Sequence, residues 1–360
     1  MFGPTSLRDI FLVAGFELRE GLRSRRIFLA GVLYMIIAGF ASYIFVDILT
    51  RVQPITNPAP LARNRGPMPG LFGGGGGGPR PQTPNGTGAT ANLPAATTSS
   101  SNTKATTPTQ PVAAAPASTN PDEKALFRRG SPFREVLRQT TTDQPMLDFL
   151  LSQPPITLFH VLVSLALLPF MVMLTSSESI AQEHQNRGIR FIALRTGRAE
   201  FVLGKLLGQG VIIALLTLLS GGMCMAVAAW KLDDFEFLPA TWALLLFWPR
   251  IVAYCVGFLG LAGLCSMNSS STVVSRTFSL VGLIGLWMAH HLSQVYIASY
   301  PADSAKAHFF RALDFLMPYS HQNDLWRPEF AQYGAGMASL LFLGALYTTI
   351  GLFFYRRRDL

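Results

Sequence analysis

Six long apolar runs dominate the chain and are separated by shorter polar stretches. A bilayer core about 30 Å thick requires roughly 20 apolar residues of helix. The runs are continuous rather than alternating, so helices are expected and a closed barrel is not. Spans 1 to 6 are predicted at 27–49, 156–176, 204–230, 243–266, 272–295 and 331–355. The predicted fold class is therefore an all-α integral membrane protein with six transmembrane helices.

The N-terminal segment 1–26 carries an amphipathic pattern. Its apolar residues recur at helical spacing at Leu7, Ile10, Phe11, Ala14, Leu18 and Leu22. Its charged residues occupy the other side at Arg8, Glu17, Arg19, Glu20 and Arg23. This pattern predicts a helix that lies at the membrane interface and leads into span 1.

Two longer connections are predicted outside the membrane. The loop 50–155 contains a Gly-, Pro-, Ser- and Thr-rich part, 73–121, which is expected to be disordered because it has no aromatic residue and little else to bury. Short helices resting on the membrane are expected in its second part, 122–153. The loop 296–330 is predicted to contain a short interfacial helix around 303–316.

Charge sets the predicted orientation of the spans. The net charge is +9, and only 14% of the residues are charged while 49% are hydrophobic. Basic residues crowd the segments 1–26, 177–203 and 356–360, which favours a cytoplasmic location for all three and for both termini. Since these residues flank spans, anionic lipid explains them better than nucleic acid, and no nucleic-acid partner is expected.

Few residues suggest catalytic chemistry. The sequence contains no HExxH or GxSxG motif. His290 and His291 are adjacent, and neighbouring helix positions point about 100° apart, so interfacial or interhelical hydrogen bonding is expected rather than a metal site. Arg250 directly follows Pro249 inside span 4. An arginine at that depth either lines a translocation path or snorkels to the outer interface.

The segment between spans 2 and 3 is unusually charged. From Glu178 to Lys205 it contains five basic and three acidic residues. Between Gly188 and Gly197 lies an apolar patch spaced like one face of a short helix, at Ile189, Phe191, Ile192 and Leu194. This pattern predicts a short helix under the membrane that docks into a cleft on another protein.

The same segment resembles the membrane subunit of ATP-binding-cassette exporters of the type-2 permease class. In chain order, members of this class carry an acidic residue, then a basic residue followed by glycine, then a turn. An arginine, an acidic residue and a Gly-Lys pair at the start of the next span follow. The corresponding residues here are Glu183, Arg187, Gly188, Arg198, Glu200, Gly204 and Lys205. Ile189 replaces the family's threonine, and Thr196-Gly197 replaces its proline-containing turn.

The resemblance implies a function and its partners. Six spans would form half of a pore, completed by a second permease subunit in a homodimer or heterodimer. Separate ATPase subunits would bind ATP and Mg²⁺, because "GRAEFVLGKL" lacks the Walker A spacing and no cofactor is expected in this chain. The expected location is the inner cell membrane of a prokaryote.

The resemblance also implies which residues couple the permease to the ATPase. These are Glu183, Arg187, Gly188, Arg195, Arg198 and Glu200. Two other functions remain open from the sequence. One is a membrane scaffold or assembly factor that works through its outer loop. The other is an intramembrane enzyme that uses Arg250 or the pair His290 and His291.

Overall fold

The computed structural model describes residues 7–56, 143–185, 197–232 and 235–357 of the chain. Every regular element in these four ranges is helical. Six of the helical segments are long and apolar enough to cross a membrane. The predicted fold class, an all-α integral membrane protein with six transmembrane helices, is confirmed. The predicted linker 73–121 lies outside the described residues.

Residues 57–142, between the second and third of the helices, lie outside the described residues. In chain order the helices are α1 (Leu7–Arg23), α2 (Arg25–Thr56), α3 (Gln144–Leu151), α4 (Pro155–Ser176), α5 (Glu178–Gln185), α6 (Arg198–Lys231), α7 (Phe237–Asn268), α8 (Thr272–Ser299), α9 (Ala305–Phe315) and α10 (Phe330–Arg357). Two 3₁₀ turns, Pro318–His321 and Asn323–Trp326, precede α10. We call the end of the bundle at α1 the inner end and the end at α9 the outer end.

Helix α7 lies at the centre of the bundle and contacts α4, α6 and α10. In the 18-residue apolar stretch of α7, 67% of the residues are buried, whereas in the corresponding stretch of α8 only 17% are buried. Large side chains of α7 fill the core, among them Phe247, Ile251, Tyr254 and Phe258. This arrangement places α7 inside the protein and leaves most of α8 on its surface.

The crossing of α7 and α10 depends on two glycines. A Cβ atom added at Gly260 would lie 2.3 Å from the carbonyl oxygen of Gly344. That neighbour is backbone and cannot rotate away as a side chain would. The two helices therefore pack closely because neither residue carries a side chain at the crossing.

Replacing Gly260 by alanine is expected to destabilise the chain by about 1–3 kcal/mol, because the added methyl group overpacks the crossing. The measurement is the thermal unfolding midpoint of the full chain in detergent. Gly222→Ala is the matched control, since a Cβ at Gly222 has nothing within 4 Å. Equal midpoints for the two variants would show that the crossing is looser than described.

Span 2 is interrupted where α4 gives way to α5. The hydroxyl oxygen of Ser266 in α7 accepts hydrogen bonds from the backbone N–H groups of Ile180 and Ala181, at 3.1 and 3.0 Å. The hydroxyl of Ser275 in α8 donates to the carbonyl oxygen of Ser177 at 2.5 Å. The first N–H groups of a helix have no partner within it. Here a different span supplies that partner and fixes the start of α5.

Candidate functional site

Lys205 joins three elements at the inner end. Its ammonium nitrogen lies 2.9 Å from Glu17 Oε2 and 3.2 Å from Glu183 Oε1. Glu17 belongs to α1, Glu183 to α5 and Lys205 to α6. Lys205 and Glu17 are each 5% exposed. One buried cation therefore holds the N-terminal helix and the end of span 2 against the start of span 3.

Gln209, one turn further along α6, completes the polar contacts of Glu17. Its side-chain amide donates to Glu17 Oε1 at 2.8 Å, so both carboxylate oxygens of Glu17 are bonded. Burying charges is costly unless they are paired and their remaining hydrogen-bonding capacity is used. Glu17, Glu183, Lys205 and Gln209 meet that condition together. We call these four residues the inner ion cluster.

Two glycines of α6 allow α1 to reach this cluster. A Cβ at Gly204 would lie 2.5 Å from Val13 Cβ and 2.8 Å from the carbonyl oxygen of Ile10. A Cβ at Gly208 would lie 2.8 Å from Glu17 Cβ. Glycines four residues apart on one helix face allow a second helix to approach closely. The α1 backbone accordingly packs directly on α6.

The prediction that Glu17 lies on the polar, solvent-covered side of α1 is wrong. The residues of α1 that the structure buries are Ala14, Glu17 and Gly21. The apolar residues Leu7 and Phe11 are 71% and 65% exposed. Because α6 supplies a cation and a glycine stripe, the helix turns its glutamate inward and leaves its apolar side free for lipid.

Helix α5 is also tied to α8. Arg276 forms a hydrogen-bonded ion pair with Glu178 at the start of α5. At the other end of α5, Gln185 Oε1 accepts hydrogen bonds from the backbone N–H and the hydroxyl of Thr272, at 3.4 and 3.2 Å. Both ends of this short helix are therefore connected to the start of span 5.

Of the six residues predicted to couple to a partner, the structure describes three. Arg187, Gly188 and Arg195 lie outside the described residues, as does the predicted short helix between the two glycines. Glu183 belongs to the inner ion cluster. The remaining two, Arg198 and Glu200, lie in the first turn of α6.

These two residues interact with helix termini. Glu200 is 8% exposed, and its carboxylate covers Gly197, where an added Cβ would lie 2.0 Å from Glu200 Oε2. An acidic group near a helix N-terminus is favoured by the partial positive charge there. Arg198 Nη1 donates to the carbonyl oxygen of Arg356 at 3.3 Å, near the end of α10. The start of span 3 is thereby connected to the end of span 6.

Arg250 is held in the outer half of the bundle. It is 2% exposed, and Nη1 donates to the carbonyl oxygens of Leu325 and Arg327 at 2.8 and 3.2 Å. Its guanidinium carbon lies 3.8 Å from the ring centroid of Tyr333. The guanidinium is thus buried between the outer turn at Leu325 and α10. Pro249 precedes it within α7.

The outer histidines interact with neighbouring side chains. His290 Nδ1 lies 2.8 Å from Asp314 Oδ1, which joins α8 to α9. Ser293 and Gln294 also donate to the Asp314 carboxylate, at 3.0 and 2.9 Å. His291 contacts the edge of Trp287. Interhelical hydrogen bonding, the expectation for His290, is confirmed.

Sequence reasoning missed four participants at the inner end: Glu17, Gln209, Glu178 and Arg276. A signal was available for the first of them. The spacing Gly204-x-x-x-Gly208 on a span that also carries a lysine indicates a close helix neighbour with an acidic group.

Six apolar spans with a charged joint between spans 2 and 3 define a multi-pass membrane protein. The family model described as ABC-2 family transporter protein matches residues 11–360. The chain belongs to this family. Comparison with curated proteins finds no match.

Proposed function

We propose that the chain is the permease subunit of an ATP-driven exporter and forms the translocation path with a second permease subunit. The family membership supports a transport role. The observation that carries the coupling proposal is the bonding of Lys205 to both Glu17 and Glu183. ATP and Mg²⁺ would be bound by a separate ATPase subunit on the inner side.

The geometry suggests how motion of the ATPase would reach the spans. The segment 186–196, the proposed docking element, connects α5 to α6 in the chain. The inner ion cluster joins these two helices to α1, and the pair Glu178–Arg276 joins α5 to α8. Force applied to the segment would therefore act on several spans together. ATP shifts the equilibrium only through contacts that differ between the two states.

A second permease subunit would pack against α8. Large apolar residues of this helix are exposed, with Phe278 at 59%, Ile284 at 58% and Met288 at 60%. On the same helix, Gly282 and Gly285 have nothing within 4 Å of an added Cβ. Small residues on a membrane helix favour close helix–helix approach, which supports this face as the contact with the second subunit.

The docking proposal is tested with Arg195→Ala/Arg198→Ala in the full chain. We expect the amount of ATPase that co-purifies from native membranes to fall about tenfold, as loss of two charged contacts worth about 0.7 kcal/mol each would produce. Glu183 is left intact so that the inner ion cluster is not disturbed. Mass spectrometry of the purified complex identifies and quantifies the ATPase.

Lys306→Ala/Arg311→Ala is the matched control, because it removes two exposed positive charges from α9 at the outer end. This variant should retain the ATPase at the wild-type level. Undiminished ATPase with Arg195→Ala/Arg198→Ala would exclude the proposed docking residues. A wild-type chain that co-purifies with no nucleotide-hydrolysing subunit would exclude the proposed function.

A further inference from the structure

A cavity of about 340 Å³ lies at the inner end, between α1, the start of α2, the end of α4, α5 and α6. Its volume falls in the range of small-ligand sites. Its charged lining comprises Glu17, Glu20, Glu178, Glu183, Lys205 and Arg276. The cavity thus adjoins the inner ion cluster and is also lined by Ala30 near the start of α2.

The charges in this lining are not balanced. Lys205 pairs with Glu17 and Glu183, and Arg276 pairs with Glu178. None of the described residues forms an ion pair with Glu20, which is exposed at the cavity. Four carboxylates and two cations give a formal charge of −2. A positively charged group would therefore be favoured in this space.

The polar cavity adjoins an apolar crevice. The crevice lies between α2, α4 and α6, and its lining includes Tyr34, Leu168, Val172, Ile212, Ile213 and Leu216. Ala30, Thr175 and Gln209 line both spaces, so the two are neighbours. Polar groups at one end and aliphatic side chains at the other match the two ends of an amphiphile.

We propose that this paired cavity and crevice bind a phospholipid with a primary ammonium headgroup, such as phosphatidylethanolamine. The ammonium has three N–H donors for the carboxylates, and Glu20 is the lining carboxylate to which the described residues supply no cation. The side chain of Arg276 remains 42% exposed and can also contact the lipid phosphate. The crevice has a volume of about 30 Å³ and would take only the first carbon atoms of an acyl chain.

The headgroup chemistry distinguishes this ligand from other membrane lipids. A choline headgroup is equally charged but has no N–H to donate, and a glycerol headgroup leaves the lipid anionic. A water-soluble molecule with the same headgroup, such as glycerophosphoethanolamine, lacks the acyl chains that would enter the crevice. The inference concerns a bound lipid and holds whether or not the chain transports it.

Native mass spectrometry of the full chain in detergent tests the site. Phosphatidylethanolamine, phosphatidylcholine and phosphatidylglycerol with identical acyl chains are added at equal concentrations. We expect one equivalent of phosphatidylethanolamine to bind about fivefold more tightly than either competitor, the effect of one hydrogen-bonded charge contact that choline cannot donate and that phosphatidylglycerol lacks. Excess glycerophosphoethanolamine, which carries no acyl chains, should not displace it.

Glu20→Gln removes this carboxylate from an exposed position and should reduce the preference for phosphatidylethanolamine to about twofold or less. Glu329→Gln makes the same change at an exposed position at the outer end and should leave the preference unaltered. Ala30→Phe would fill the junction of cavity and crevice and should abolish the tightly bound equivalent. Thermal midpoints verify that each variant is folded.

Three results would overturn the proposal. Equal binding of the three lipids would indicate only nonspecific association with the apolar surface. An unchanged preference in Glu20→Gln would exclude ammonium recognition at this carboxylate. Displacement by glycerophosphoethanolamine would show that a soluble headgroup suffices and that the crevice holds no acyl chain.

Discussion

Replacing Lys205 by methionine is expected to lower the free energy of unfolding by about 3–5 kcal/mol. The substitution leaves Glu17 and Glu183 without the cation that both contact, at 2.9 and 3.2 Å. Glu17 is almost fully buried, so water cannot replace the lost partner. The measurement is the midpoint of thermal or denaturant-induced unfolding of the full chain in detergent, together with the fraction of the protein that stays monodisperse.

Lys231→Met is the matched control for this prediction. Lys231 lies at the other end of the same helix, where its nitrogen is 3.5 Å from Asp47 and its side chain is 22% exposed. A solvent-screened pair of this kind contributes little, so this variant should lower the free energy of unfolding far less than Lys205→Met. Adding Glu17→Gln and Glu183→Gln to Lys205→Met should recover part of the loss, because no buried charge then remains uncompensated. Equal losses for the two lysine variants would contradict the cluster.

Replacing Arg250 by methionine is expected to cost about 2–4 kcal/mol and to loosen the turn around Leu325. The variant leaves the carbonyl oxygens of Leu325 and Arg327 without this donor and removes the cation from the ring of Tyr333. Limited proteolysis from the outer side should therefore cut between α9 and α10 more rapidly. Arg250→Lys should recover little, since an ammonium cannot reproduce the planar guanidinium.

Arg327→Met controls for loss of positive charge near the same turn. Its side chain is 40% exposed and pairs at 3.5 Å with Asp324, so its removal should change stability by no more than about 1 kcal/mol. The backbone carbonyl at 327 is retained in this variant. If Arg250→Met stops transport while proteolysis and the unfolding midpoint stay at wild-type values, Arg250 belongs to the translocation path.

The six spans were predictable because about 20 apolar residues in succession have few alternatives to a membrane helix. Their ends were not predictable from hydrophobicity. Helix α6 begins at Arg198 and α7 at Phe237, each before the apolar run that marks the span. Polar residues extend α6 because a neighbouring element supplies a partner: Arg198 donates to the carbonyl oxygen of Arg356 in α10.

The candidate site was only partly predictable for a related reason. Helical periodicity separates the apolar side of α1 from its polar side, but it does not show which polar residue meets another helix. Glu17 and Glu20 have the same side chain and lie three residues apart on α1. Glu17 is nevertheless 5% exposed, whereas Glu20 lies at an open cavity. The difference arises from Gly208 and Lys205 on α6, which are distant in sequence.

The hydroxyl of Ser266 has a mechanical consequence for span 2. It accepts two backbone hydrogen bonds from the first turn of α5, and α5 is bonded at its other end to Thr272 of the neighbouring span. The short helix therefore cannot swivel about Ser177 as an independent lever. Any torque applied at Gln185 is delivered to the central helix as well, so α4, α5, α7 and the start of α8 must tilt as one lever arm or break these bonds.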